Sequence, residues 1–352
     1  MQSLRWSLTL LLPARSQQSM LRFIATGNRH LMLLRPLLKT IALFLLATWT
    51  CAAPADEQQV AEIRALRLAG ELKEAQALGE QALGASQSSA DAVALHIELA
   101  RIHDRYGLHN NTRPVAEALE HVEAAASLVK ASDELSAARV ELAFANYYYR
   151  AEMAEREFAT AIHHAQRAIE MFTALEDWHG AADAVHTLGL IRMQQGSYDE
   201  ARTLFDESLA LDIKGGRRVF FTGEYERHIA FVDRFTGDME AAIPHFKRSL
   251  QARREAGAID AGLFAAVALA STLIETGRAA EAGEHLQYAL DIANDIGSGY
   301  GTAITLLALG QYHSDTGQLK EARETFEQAA EAARSIGIAS IERRANEALA
   351  AL

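Results

Sequence analysis

Cysteine and proline are nearly absent from this chain of 352 residues. The one cysteine is Cys51, and of the five prolines only Pro114 and Pro244 follow residue 55. Proline is the residue that most often interrupts a helix, so its scarcity permits long helices. After residue 55, no stretch alternates apolar and polar residues for long enough to predict a strand. The chain is therefore predicted to be helical almost throughout from Asp56 onward.

Residues 1–55 contain no aspartate or glutamate but six of the 34 basic residues. A short basic lead, Met32–Lys39, is followed by an apolar run, Ile41–Trp49, and then by the small residues of Cys51–Ala55. Basic, apolar and small-residue segments in this order are typical of a secretory signal peptide. The apolar run is shorter than the roughly 20 residues that a membrane span needs. We expect a cleaved signal and a periplasmic or secreted protein.

Three alternatives to a cleaved signal stay open. Leu33–Thr50 is apolar apart from two basic residues, so an uncleaved inner-membrane anchor is possible. Cys51 could carry a lipid, although the residues before it do not match the usual lipoprotein pattern. The basic, acid-free N-terminus also has the composition of a mitochondrial presequence, and Met20 or Met32 could be the true start.

The remainder of the chain is strongly acidic. Removing residues 1–55 leaves 28 of the 34 basic residues against 46 acidic ones, a net charge of −18, and no cysteine. Without cysteine there is no disulfide and no thiolate chemistry. Nucleic acids and anionic membranes bind to clustered lysine and arginine, so we expect neither as a partner. A protein or peptide partner is predicted, with membrane contact only through an uncleaved N-terminal segment.

Four similar turns recur at a nearly constant interval. Their alanines Ala201, Ala242, Ala282 and Ala322 are separated by 41, 40 and 40 residues, and Ala161 lies 40 residues before the first. Each turn begins with a glycine: Gly196, Gly237, Gly277 or Gly317. A fixed period of this size is typical of a stacked array, in which each unit buries its apolar face against its neighbours.

Each unit is predicted to contain two helices. The first carries a large residue followed by a small one: Leu188-Gly189, Ile229-Ala230, Leu269-Ala270 and Leu309-Gly310. The small residue allows a neighbouring helix to approach closely. In the second helix, the alanine is followed four residues later by Phe205, Phe246, Leu286 or Phe326. A second glycine closes each unit: Gly216, Gly257, Gly297 or Gly337.

This pattern resembles the tetratricopeptide repeat, in a variant with a period of about 40 residues instead of about 34. The resemblance is strong over Ala182–Gly337 and weaker back to about Gln58. It implies an all-α fold, a right-handed α-α superhelix of about seven helix pairs with a C-terminal capping helix. The domains expected are irregular N-terminal helix pairs at 56–131, the repeat array at 132–337 and the capping helix at 338–352.

The N-terminal pairs are less regular than the later ones. The helices predicted for them are Glu57–Ala69 with Leu72–Leu83, Ala90–Tyr106 with Pro114–Lys130, and Ser132–Arg150 with Glu155–Leu175. Residues 106–114 are predicted to form an enlarged turn that contains Gly107, with Pro114 in the first turn of the next helix.

Known catalytic motifs are absent. The sequence contains no nucleophile elbow, phosphate-binding loop, dinucleotide fingerprint or His-Glu-x-x-His motif. The 13 histidines show no spacing that brings three or four ligands together, and His103 with His109 only straddle a turn. We therefore expect no enzyme activity, no cofactor and no metal. Metal bound by His103, His109 and a carboxylate would change that expectation.

The resemblance implies that the first helices line the concave side, where ligands of such arrays usually lie. In that register the predicted groove residues are Phe144, Tyr147, Tyr148, His186, Met193, Arg227, Phe231, Arg234, Phe235 and Gln311, with Leu190, Phe264, Val267, Ile274, Ile304 and Leu307 beside them. Aromatic residues and arginine dominate interface hot spots. Arg227 and Arg234 could together clamp a carboxylate. The competing interpretation is that the aromatic residues pack between helices.

These observations predict a non-catalytic scaffold or adaptor, exported to the periplasm or envelope, that binds a peptide or protein in its concave groove. The alternative is a sensory or regulatory module that acts through a signalling partner, as similar repeats do when attached to diguanylate cyclases.

Overall fold

The computed structural model describes residues 55–112, 114–153 and 156–352, so the predicted secretory segment lies outside the described residues. The described ranges contain fifteen α-helices and no strand: α1 (Ala55–Ala69), α2 (Leu72–Ala85), α3 (Ser89–Asn110), α4 (Ala116–Leu128), α5 (Glu134–Ala151), α6 (Ala159–Ala174), α7 (Trp178–Gln194), α8 (Tyr198–Gly215), α9 (Val219–Phe235), α10 (Met239–Glu255), α11 (Ile259–Glu275), α12 (Gly283–Asp295), α13 (Gly299–Asp315), α14 (Leu319–Ser335) and α15 (Ala339–Ala351).

The helices form seven consecutive pairs, α1 with α2 through α13 with α14. The final helix α15 packs on α14 and α13. In the sixth pair a short 3₁₀ turn, Ala279–Glu281, precedes α12. The predicted all-α superhelix of about seven helix pairs and a final helix is confirmed. No helix in the described ranges combines the length and the apolarity that crossing a bilayer requires.

The turn between α9 and α10 shows how one glycine joins two helices. Gly237 has a φ of +93°, in the left-handed region that other residues avoid. This conformation lets the amide of Asp238 donate to the carbonyl of Asp233 at 2.8 Å, while the amide of Gly237 donates to Arg234 at 3.2 Å. These two bonds end α9. The Asp238 carboxylate then accepts from the amide of Ala241 at 3.0 Å and begins α10.

Within a pair, the small residue of the first helix lies against an aromatic ring of the second. A Cβ atom added to Gly310 would lie 2.5 Å from the ring of Phe326, and one added to Gly189 would lie 2.7 Å from Phe205. Both phenylalanines are fully buried. The small residue therefore sets how closely the two helices of a pair approach, as the sequence pattern predicted.

The first helices of the pairs line the inner side of the array. Most neighbouring first helices contact one another, for example α1 with α3 and α11 with α13. Within the described ranges, neighbouring second helices make no contacts of comparable extent. The ring of first helices also closes on itself, because α1 contacts α11 and α3 contacts α13. We call the surface enclosed by these first helices the inner surface.

Closure depends on a part of α3 that was predicted wrongly. The sequence indicated a helix end at Tyr106 and a turn at Gly107, but α3 continues to Asn110 and Gly107 is buried within it. Asn111 takes the left-handed position instead, with a φ of +55°, which asparagine tolerates. The extra turn carries His109 to Ser298, 2.7 Å away at the start of α13. Contacts between such distant segments cannot be read from local sequence.

The helices α4, α5 and α6 begin two to four residues later than predicted. α4 begins at Ala116, so Pro114 precedes the helix instead of lying in its first turn. α6 begins at Ala159, where the carboxylate of Glu152 accepts from the amides of Thr160 and Ala161, each at 3.1 Å. A side chain from the residue that follows α5 thus supplies the N-terminal cap that the local sequence lacks.

The close contact between Gly310 and Phe326 leads to a stability prediction. Alanine normally stabilises a helix relative to glycine. In Gly310→Ala, however, the added methyl group overlaps the rigid Phe326 ring and must displace it. We expect the free energy of unfolding to fall by about 2 kcal/mol, measured by urea denaturation followed by circular dichroism.

The matched control is Gly84→Ala, because Gly84 is also helical but has open space around its added Cβ. Its stability should stay the same or rise by up to about 1 kcal/mol. Equal effects of the two substitutions would show that the ring contact does not determine the spacing of the pair.

Candidate functional site

The predicted groove residues fall into separate environments. On α5, the rings of Phe144, Tyr147 and Tyr148 are half-buried and contact one another. Tyr148 also stacks on His164 of the paired helix, with ring centroids 5.7 Å apart and planes 5° apart. Phe144 and Tyr148 therefore pack against the paired helix α6, through the ring of His164.

A second group surrounds α9. Phe235 is 50% exposed and stacks on Tyr198, with ring centroids 5.6 Å apart, and on Phe231, with centroids 5.9 Å apart. Arg227 lies over the other side of Phe231, with its guanidinium carbon 4.8 Å from the ring centroid. We call Tyr198, Phe235 and Phe231 the aromatic row. It presents a continuous apolar strip with a positive charge at one end.

Arg234 does not join Arg227 in a carboxylate clamp. Its guanidinium donates to the hydroxyl of Thr272 at 2.8 Å and pairs with the carboxylate of Glu275, both on α11. Arg234 therefore ties α9 to the next pair. The predicted two-arginine clamp is reduced to Arg227 alone.

Three further groove candidates lie elsewhere. His186 and Met193 are each only 6% exposed, because α7 is enclosed by helices α8 and α9 at these positions. They are buried in the core instead of facing an open groove. Gln311 is exposed and donates to Asp315 on its own helix at 2.7 Å.

His186 belongs to a buried chain of hydrogen bonds that the sequence did not reveal. Arginine can only donate, so Arg227 Nη1 donates to Nε2 of His228 at 3.3 Å, and the proton of His228 must lie on Nδ1. His228 Nδ1 donates that proton to Nε2 of His186 at 2.9 Å. His186 Nδ1 then points to the hydroxyl of Ser208 at 3.4 Å, which donates to the carbonyl of Phe205 at 2.7 Å. We call Arg227, His228, His186 and Ser208 the histidine chain.

Both imidazoles of the histidine chain are neutral. Burial lowers the pKa of His186 to about 4. Burial, together with the neighbouring His186 and Arg227, lowers the pKa of His228 well below its usual value. Burial alone would raise the pKa of Glu224, yet the positive charges of Arg253 and Arg227 outweigh it and hold that pKa well below the usual range.

His186, His228 and Glu224 bring three possible metal-ligand atoms within 4.8 Å of one another. Two imidazoles and a carboxylate are a reasonable donor set for zinc. However, Nε2 of His186 and Nδ1 of His228 already form a hydrogen bond with each other. Arg227 also holds His228 in the tautomer whose proton lies on Nδ1, so this nitrogen has no lone pair for a metal. Arg253 pairs with Glu224 at 3.0 Å and adds a second positive charge. The arrangement favours a metal-free network.

His103 and His109 were considered as metal ligands in the sequence analysis, but their side chains lie in different environments. His103 stacks on His121, with ring centroids 5.3 Å apart. His109 is buried between Ser298 and the carboxylate of Asp260, whose oxygen lies 3.5 Å from its Nε2. The two histidines do not form a common site.

Most arginines of the inner surface have a carboxylate partner. Arg105 of α3 pairs with Asp260 of α11 at 2.6 Å, across 155 residues of sequence. Arg150 pairs with Asp104 at 2.9 Å. The Arg105 guanidinium and burial act in opposite directions on Asp260, and the result is a pKa lowered to about 2. The inner surface is therefore a network of ion pairs.

Sequence reasoning identified Arg227, Phe231 and Phe235 as neighbours but missed Glu224, His228, Arg105 and Asp260. Glu224 and His228 are four residues apart on one helix, a spacing that is visible in the sequence. The close approach of α7 to α9, and of α3 to α11, has no signature in the local sequence of these helices.

The comparisons with known proteins identify the repeats. Residues 182–212 and 263–335 each match a tetratricopeptide repeat family model. The chain contains tetratricopeptide repeats. The matched segments cover most of α7 and α8, most of α11, and α12 through α14. No curated protein sequence gives a significant match to this chain.

Several solved structures of tetratricopeptide-like proteins are similar. A Rap protein complexed with Competence and Sporulation Factor has 14% identity and a TM-score of 0.53, covering 84% of this chain and 96% of its own. The signal transduction ATPase with a tetratricopeptide repeat sensor from Pyrococcus horikoshii has 14% identity and a TM-score of 0.54, covering 79% of this chain and 42% of its own. The Rap conjugation gene regulator of plasmid pLS20, in complex with the Phr* peptide, has 15% identity and a TM-score of 0.50, covering 73% of this chain and 74% of its own. At these identities the similarity shows the fold alone.

The histidine chain of this tetratricopeptide repeat protein leads to a pH prediction. The unfolded state takes up a proton at His186 near pH 6.5, whereas the folded state does so only near pH 4. The stabilising contribution is therefore complete above pH 6.5 and is lost as the pH falls from about 6.5 to 4. We expect His186 to contribute a decrease of about 3 kcal/mol in the free energy of unfolding over that range, measured by denaturation at pH 7, 5.5 and 4.5.

In His186→Gln the loss of stability with falling pH should be smaller. It should not vanish, since the pKa of His121 is also lowered to about 4, first by burial. His163→Gln is the control, because His163 is exposed and lies outside the histidine chain. An identical pH dependence in wild type and His186→Gln would contradict the assignment.

Proposed function

We propose that this tetratricopeptide repeat protein is a non-catalytic scaffold that binds a peptide, or an exposed segment of a protein, along its aromatic row. The observation that carries the proposal is the exposure of Phe235, half of whose surface is open to solvent although it stacks between two other aromatic rings. Stacked aromatic rings beside an arginine have the composition of an interface hot spot.

The chemistry of the histidine chain supports the absence of catalysis. His186 and His228 are buried, and each ring nitrogen of the two imidazoles already has a hydrogen-bond partner. A general base needs a free nitrogen within reach of a substrate proton. These histidines are therefore structural.

The similar structures support a peptide ligand and are also compatible with regulation. Two of them are Rap proteins complexed with Competence and Sporulation Factor or with the Phr* peptide. A third belongs to a signal transduction ATPase with a repeat sensor. A sensory or regulatory role through a signalling partner would use the same binding surface, so the ligand's identity separates the two roles.

Selection from a phage-displayed random dodecapeptide library tests the proposal. The affinity of the enriched peptides for the full chain is measured by isothermal titration calorimetry, for wild type and Phe235→Ala. We expect Phe235→Ala to weaken binding at least tenfold, because truncating a hot-spot residue costs about 2 kcal/mol or more and tenfold corresponds to about 1.4 kcal/mol.

Leu319→Ala is the matched control, because Leu319 is similarly exposed, at 55%, but lies on α14 away from the aromatic row. It should bind within twofold of wild type. The proposal would be refuted if no peptide is enriched, or if both variants bind as well as wild type.

We further propose that residues 1–55 direct export to the periplasm or beyond. The support is their composition, with a basic lead, an apolar run and small residues before Asp56. Fractionation of the source cell, with mass spectrometry of the protein's N-terminus, should find a chain that begins near Ala55 outside the cytoplasm. A membrane-bound chain that retains the apolar run would show an anchor instead, and a cytoplasmic chain would exclude export.

A further inference from the structure

Two histidine side chains meet between the helices of the second pair, far from the histidine chain. His96 lies on α3 and His121 on α4, 25 residues later, and their Nδ1 atoms are 2.9 Å apart. The ring centroids are 5.2 Å apart and the ring planes are tilted by 47°. The packing of α3 against α4 brings the two nitrogens together. We call these two rings the α3–α4 imidazoles.

Nothing among the described residues fixes the tautomers of the α3–α4 imidazoles. Two neutral imidazoles that face each other through Nδ1 place a single proton between them, so one ring is protonated on Nδ1 and the other on Nε2. Neither Nε2 atom forms a hydrogen bond with a described residue, whereas Arg227 holds the tautomer of His228 in the histidine chain. If the proton between the rings moves to Nε2, both Nδ1 lone pairs become available to a metal ion without a change in charge.

The charges around the α3–α4 imidazoles favour a cation. Apart from neighbouring histidines, the carboxylate of Glu80 on α2 is the only group of the described residues that acts electrostatically on His121, and none acts on His96. In the histidine chain, by contrast, Arg227 and Arg253 both act on His228 and would repel a metal ion. The two groups of histidines therefore differ in charge environment as well as in tautomer.

The α3–α4 imidazoles also have more freedom to reorient. Both rings are half-buried, whereas His186 and His228 are only 6% and 5% exposed. Each ring must turn about its Cβ–Cγ bond to direct its lone pair at a shared ion, and this torsion has a broad energy profile in histidine. His103 stacks on one face of His121, with centroids 5.3 Å apart and planes 26° apart, and bounds the site on that side.

The separation of the two nitrogens indicates the class of metal. Two metal–nitrogen bonds of about 2.0 Å place their nitrogens about 2.8 Å apart at a right angle and about 3.3 Å apart at a tetrahedral angle. The observed 2.9 Å is close to the first value. Right angles are typical of tetragonal Cu²⁺ and Ni²⁺, whereas zinc in proteins is tetrahedral.

We propose that the α3–α4 imidazoles form a binding site for a tetragonal divalent transition metal, with Nδ1 of His96 and Nδ1 of His121 as adjacent ligands. Water completes the coordination. Cu²⁺ is the ion bound most tightly, because it has the highest affinity for nitrogen ligands among the divalent metals of the first row. The site lies outside the aromatic row and does not depend on the peptide-binding function proposed above.

Titration of the full chain with Cu²⁺ tests the proposal. Isothermal titration calorimetry in glycine buffer, which competes for weak surface sites, should show one Cu²⁺ bound per chain. Electron paramagnetic resonance of the complex should show a tetragonal Cu²⁺ spectrum with coupling to imidazole nitrogen. Zn²⁺ should bind at least about tenfold more weakly.

His121→Asn is the decisive variant, because asparagine can keep a polar atom near the position of Nδ1 but offers no imidazole. We expect Cu²⁺ affinity to fall at least about tenfold, since loss of even an outer-shell partner of a metal ligand costs about 10- to 100-fold. The matched control is His163→Gln, which removes an exposed histidine and should bind Cu²⁺ as wild type does. Cys51→Ser should also bind as wild type, which excludes the thiol as the ligand. Circular dichroism must show that each variant is folded.

Two further variants distinguish this site from its neighbours. His103→Phe keeps a ring beside His121 but has no nitrogen, so its affinity for Cu²⁺ should stay within about twofold of wild type. His186→Gln, in the histidine chain, should likewise bind as wild type does. The proposal is overturned if Cu²⁺ does not bind, if His121→Asn binds it as tightly as wild type, or if His163→Gln, Cys51→Ser, His103→Phe or His186→Gln loses as much affinity as His121→Asn.

Discussion

The spacing between the two helices of each regular pair, from α7 to α14, depends on one contact, a residue with little or no side chain in the first helix against a large buried side chain in the second. Gly310 against Phe326 and Gly189 against Phe205 leave no room for a Cβ atom. Since the same contact recurs about every 40 residues, each pair stacks on the next with a similar offset. The curvature that results places the first helices on the inside, and the position of the inner surface follows from it.

Closure of the ring of first helices gives the interior its polar character. A tetratricopeptide array that only stacked on its neighbours would leave α1 and α3 far from α11 and α13. Here Arg105 pairs with Asp260, and His109 bonds to Ser298. Charged groups can be buried in this way only when each has a partner. Arg227 is the exception, because it donates to a neutral histidine and lies over the ring of Phe231.

The site was predicted in part. Arg227, Phe231 and Phe235 were identified because they occupy a helical register relative to the Ile229-Ala230 pair, and register is a local property. His186 was assigned to the groove by the same rule, yet it is buried against His228. Arg234 was assigned to a clamp, yet it reaches Glu275 on α11. The rule identifies which face of a helix points inward, but not how near the neighbouring helix comes or which polar groups it offers.

The sequence by itself determined the repeat, its period, its turns and the all-α superhelix, because glycine at positive φ and small residues opposite rings act within one unit or between adjacent units. Only the tertiary structure decided that α3 continues to Asn110, that it meets segments 155 and 189 residues away, and that the histidine chain forms. These features depend on the small rotation between units summed over the whole array. A rotation that accumulates over seven pairs has no signature in any single one.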